Sequence, residues 1–100
     1  MDPKTLDDAI ATIVREQVAL LVSKQRDYGK GNIAVFGEKG VLVRTSDKLE
    51  RLKNLVWTDK APLHESVDDT WRDIVNYGII AQLVRRGQWD LPLKEADASL

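Results

Sequence analysis

The chain has 100 residues, 43% hydrophobic and 31% charged, with 15 basic and 16 acidic side chains and a formal net charge of -1. One small globular domain fits those figures; wholesale disorder and a broad basic field for strong nucleic-acid binding do not. The lack of cysteine excludes disulfide scaffolds, zinc fingers and thiolate catalysis, and a single histidine, His64, leaves carboxylates, amides and hard metal ions to carry any chemistry.

Residues 3–27 read as a helix, because Leu6, Ile10, Ile13, Val14, Leu20 and Leu21 recur near the helical period. Asp2 before Pro3 is one candidate cap, and Thr5 with Asp8 is a competing capping box. The Met1-Asp2-Pro3-Lys4 start lacks the basic, apolar pattern of a signal peptide, and no segment approaches the ~18 apolar residues of a membrane span. A cytoplasmic protein without a membrane partner is expected.

Residues 28–40 hold four of the six glycines around Ile33-Ala34-Val35-Phe36 and read as an ordered loop with one short helical turn. Residues 41–57 read as a second long helix with a Leu42, Leu49, Leu52, Val56 stripe. Residues 58–64 form a loop. Residues 65–86 read as a third long helix, with Val67, Trp71, Ile74, Gly78 and Ala81 on one face and Gly87 as its stop. Ile79, Ile80, Leu83 and Val84 lie off that face, the pattern of a helix buried on several sides, which suggests a subunit interface. The expected architecture is all-α: an antiparallel bundle of three long helices plus a short loop helix, completed by oligomerisation. Residues 1–87 would form one domain and 88–100 a C-terminal arm or tail.

Acidic residues gather in two places. Asp47 and Glu50 stand three apart on the second helix, with Asn54 one turn on; Glu65, Asp69 and Asp73 run i, i+4, i+8 toward Asn76. Facing helices that present carboxylates can hold a divalent ion, and oxygen-only ligands suit Mg²⁺ or Mn²⁺. The bland alternative is a solvated face, with Glu65, Asp68 and Asp69 favouring a helix N-terminus and Ser66 with Asp69 forming a capping box. Lys24, Lys30, Lys39, Arg44 and Arg51 flank the glycine-rich loop as candidate phosphate partners, and Tyr28, Asn32, Asn76 and Tyr77 have the stacking and amide chemistry to read a base. Trp57, Trp71 and Trp89 are expected in the core or an interface.

The string Lys24-Gln25-Arg26-Asp27-Tyr28-Gly29, then Asn32, Phe36-Gly37, Arg44-Thr45-Ser46-Asp47-Lys48-Leu49-Glu50-Arg51-Leu52, Glu65-Ser66-Val67-Asp68-Asp69-Thr70 and Asp73-Ile74-Val75-Asn76-Tyr77, resembles the phage and bacterial nucleotide modification associated domain 1 family. That family is similar to the all-α NTP pyrophosphohydrolases, which include MazG-like enzymes and dimeric dUTPases. The resemblance covers about residues 20–86. In the superfamily an E-x-x-E helix and a later E-x-x-D helix bind Mg²⁺. Here Asp47-Lys48-Leu49-Glu50 matches the first element with Asp in its first place. Asp73 matches the final Asp of the second, with Thr70 where a Glu would stand and Asp69 as a substitute; Glu65-Ser66-Val67-Asp68 is an alternative register.

The resemblance implies a MazG-like fold and Mg²⁺- (or Mn²⁺-) dependent cleavage of a (deoxy)nucleoside triphosphate to monophosphate and pyrophosphate, by a homodimer or homotetramer. Asp47, Glu50, Asp69 and Asp73 would bind metal, with Glu50 and Asp73 also catalytic and Glu65 an outer ligand or the base that orients the water. Lys24, Arg44 and Arg51 would meet phosphates; Tyr28, Asn32, Asn76 and Tyr77 would meet base or sugar. The alternative is a non-catalytic nucleotide-binding or partner-binding helical module.

Overall fold

A computed structural model describes residues 2–94. It is all-helical, with no strand among the described residues. Helix α1 spans Leu6–Tyr28, α2 Gly31–Ala34, α3 Gly37–Leu52 and α4 Val67–Arg85; α3 runs on into a π-helical turn, Lys53–Trp57. Three long helices and one short one are thus present, as the sequence leads one to expect. The chain divides into two compact units: Met1–Gly29 with Pro92–Leu100, and Lys30–Leu91. The end of the expected C-terminal arm, 95–100, lies outside the described residues.

In the first unit, the capping box prevails over Asp2-Pro3. The Thr5 hydroxyl accepts from the Asp8 N–H at 3.1 Å, and Asp7 and Asp8 meet the positive end of the helix. Gly29 closes α1 at φ +71°, a conformation open to glycine, and donates its N–H to the Gln25 carbonyl. The periodic residues Leu6, Ile10, Ile13 and Val14 are exposed, and Leu20 and Leu21 are half-buried.

In the second unit, α3 and α4 pack antiparallel. Residues 38, 48 and 51 of α3 meet 85, 73 and 70 of α4, so numbering climbs on one helix as it falls on the other. Ile33, Val41, Leu52, Leu55 and Ile80 are its buried apolar side chains. Leu52 of the expected α3 stripe is inside, but the rest of that stripe and the expected α4 face are corrected. On α3 the inward line is Val41, Thr45, Lys48, Leu52 and Leu55, which has the same helical period as the expected line but a different rotation. Leu42, Leu49 and Val56 are left outside. On α4 the buried residues are Thr70, Asp73, Asn76 and Ile80, while Trp71 is 51% exposed. The cause is polar: Lys48 and Arg51 find hydrogen-bonding partners on and just before α4, and that seam sets the rotation of both helices.

The segment 28–40 is more helical than a loop: Ile33 of α2 is buried, and α3 already begins at Gly37. Arg44 reaches back from α3 to the Asn32 carbonyl at 3.3 Å. Ser66 caps α4, accepting from the Asp69 N–H at 3.0 Å. At the other end Gly87 turns the chain at φ +68°, as the sequence suggests. The residues beyond fold against the start of α2: the Trp89 indole N–H donates to the Lys30 carbonyl at 3.3 Å, and the Lys30 ammonium donates to the Asp90 carbonyl.

Candidate functional site

The α3–α4 seam gathers five polar side chains. The Lys48 ammonium lies 2.8 Å from Asp73 Oδ2 and 3.1 Å from Glu65 Oε2. Arg51, one turn further along α3, donates to the Thr70 hydroxyl and to the Glu65 backbone carbonyl, and its guanidinium lies 3.7 Å from Glu65 Oε2. The Thr70 hydroxyl is placed to donate to Glu65 Oε2 at 3.0 Å or to the Ser66 carbonyl at 3.2 Å. Thr70 is fully buried and Asp73 nearly so.

Local sequence explains the assembly. Ser66 fixes the first turn of α4, which sets Glu65 just outside the helix and Thr70 and Asp73 on successive inward turns. Lys48 and Arg51 stand three apart on α3 and so face α4 together. Two cations meet two carboxylates, and the seam is formally neutral. Partial burial pulls the Lys48 ammonium down, but its hydrogen bonds to Asp73 and Glu65 and their charges outweigh that, holding it above the ordinary lysine value of 10.5.

The structure separates the four expected metal ligands. Asp73 is inside, against Lys48. Asp69 is on the surface, 2.8 Å from Arg72, and Glu50 is on the surface, 3.0 Å from Lys53. Asp47 is exposed. Glu65 is in the seam rather than on a ridge with Asp69. Among the described residues no group of three or more carboxylates or imidazoles is placed to hold a metal ion. The position between Glu65 and Asp73 is taken by an ammonium of the same chain. In this arrangement the residues do not fit a Mg²⁺ or Mn²⁺ centre.

The expected nucleotide contacts fall in both units. Lys24 is half-buried on α1 and Tyr28 exposed at its end, both in the first unit. Asn32 and Arg44 come together at the α2–α3 corner, and Arg51 lies in the seam. Asn76 is buried on α4 and Tyr77 half-buried. Two seam members escaped sequence reasoning. Thr70 stood only as a gap where a Glu was sought, and Lys48 only as filler within Asp-Lys-Leu-Glu; their shared signal is that 48 and 70 fall on the inward line of each helix.

A second feature lies on the outer side of α3. Glu50, Lys53, Asn54 and Trp57 line a shallow open cleft, and Trp57, expected in a core or interface, is 87% exposed. The wider π turn sets Leu55 inward and Trp57 outward.

No helix among the described residues is long and apolar enough to cross a membrane. No curated protein and no solved structure matches the chain. Residues 24–84, which take in the α3–α4 seam and the cleft, match the family described as nucleotide modification associated domain 1, and the chain belongs to that family.

Proposed function

We propose that the chain is a nucleotide-binding domain of nucleotide metabolism, with a (deoxy)nucleoside triphosphate as its ligand and no metal centre of its own. The observation that carries the non-catalytic part is the pairing of the carboxylates: Asp73 and Glu65 with Lys48, Asp69 with Arg72, and Glu50 with Lys53. The family supports the nucleotide part. A homodimer or homotetramer in the cytoplasm remains part of the reading. Its support is the small set of buried apolar side chains and the exposed i, i+7, i+14 line of Leu42, Leu49 and Val56, a face that association would bury.

A second reading is favoured by one observation. Asp47 and Glu50 lie one turn apart on an exposed face, where they remain accessible to a metal–nucleotide complex. That reading is the Mg²⁺-dependent, MazG-like pyrophosphohydrolase, releasing pyrophosphate and a nucleoside monophosphate.

Calorimetric titration of canonical and modified dNTPs, first in EDTA and then in Mg²⁺, tests the proposal. Saturable binding in EDTA is expected. Binding that occurs only with metal overturns the metal-free reading and favours the second.

A further inference from the structure

We infer that the cleft on the outer side of α3 holds the nucleobase, stacked on Trp57, and that it selects bases carrying an exocyclic amino group. The inference rests on the nucleotide-binding reading and gives it a location.

Three observations meet there. Trp57 is 87% exposed, and a ring that size left in water is a ready platform for another flat ring. The π turn that carries it is a geometry common at functional sites, and here it turns the indole away from the buried Leu55. The remaining lining residues, Glu50, Lys53 and Asn54, each carry a hydrogen-bonding group.

The polar pattern chooses the ligand. Lys53 donates to Glu50 Oε1 at 3.0 Å, and we assign the carboxylate's other oxygen to accept from a base amino group. Asn54 Oδ1 accepts from Lys60 at 3.4 Å, which orients the amide so that its NH₂ is presented as a donor to a ring nitrogen or carbonyl. An acceptor beside a donor is the complement of the amino-bearing edges of adenine and cytosine. Uracil and thymine offer a carbonyl and no amino group at that place.

The test uses the full chain labelled with 5-fluorotryptophan. Its Trp57 resonance is the ¹⁹F signal missing from Trp57→Phe. That signal should move on titration with dATP or dCTP and stay in place with inorganic pyrophosphate. Trp57→Ala, a surface change checked by circular dichroism, should weaken binding about 5- to 150-fold, the range of base–aromatic stacking. Glu50→Gln should narrow the preference for amino-bearing bases over dTTP. If dNTPs bind by calorimetry but the Trp57 signal is still and Trp57→Ala binds as wild type, the cleft assignment is wrong and the nucleotide reading survives. If no dNTP binds at all, both fail. A signal that moves equally with pyrophosphate refutes stacking.

Discussion

Replacing Lys48 with Met keeps the aliphatic stem and removes the ammonium that joins Asp73 and Glu65. Charge-assisted hydrogen bonds contribute about 1.5–3 kcal/mol, and stripping one partner from a fully buried pair costs about 3–5 kcal/mol. This site is wetter than that limit: the Lys48 side chain is 24% exposed and Asp73 11%. A loss of about 2–3 kcal/mol follows, most of it the cost of leaving Asp73 without its cation. Against a total of roughly 5–15 kcal/mol for a domain this size, it is large. At ~4–8 °C per kcal/mol, the melting temperature should fall on the order of 10 °C or more. Urea unfolding with a double-mutant cycle checks it, since Asp73→Asn in the Lys48→Met background should recover on the order of 1 kcal/mol. Strict additivity, or a Lys48→Met cost below about 0.5 kcal/mol, would refute the view that this seam sets the α3–α4 rotation.

Other outcomes follow from the same contacts. The Lys48 value is raised on folding, so its contribution is fully present below the unfolded value of 10.5 and is lost as pH rises through the higher folded value. Thermal melts above pH 10.5 should therefore fall more steeply for wild type than for Lys48→Met. Thr5→Ala and Ser66→Ala should each cost about 1 kcal/mol in chemical denaturation by removing a helix cap, while Asp2→Ala should cost nothing measurable. Gly87→Ala should destabilise by about 1 kcal/mol, because it forces a Cβ into the left-handed region at φ +68°, again read from denaturation curves.

Helix existence and punctuation were legible in the sequence because they depend on local chemistry. The capping pairs Thr5/Asp8 and Ser66/Asp69, and the Gly87 stop, act within one turn. The rotation of each helix was not legible. Leu42, Leu49 and Val56 have as good a helical period as Val41, Leu52 and Leu55 and the same residue types, so hydrophobicity alone does not choose between them. The choice depends on Lys48 and Arg51 meeting Glu65, Thr70 and Asp73 across the seam, a pairing of residues far apart in sequence. The candidate site suffered for the same reason. Asp47, Glu50, Asp69 and Asp73 share a groove only if the apolar stripes face inward; once the seam turns the helices, Asp73 goes inside and the other three go to the surface. Gly37 and Gly40 suggested a loop, yet both sit in α3, where a Cβ at Gly40 would collide with the Phe36 side chain.

Pyrophosphate release from canonical and modified dNTPs, in Mg²⁺, in Mn²⁺ and in EDTA, is the most direct test of a metal-free nucleotide-binding domain. The account predicts no release under any condition from dNTPs that calorimetry has shown to bind. Metal-dependent release that Glu50→Gln and Asp73→Asn both abolish would contradict it and establish the pyrophosphohydrolase.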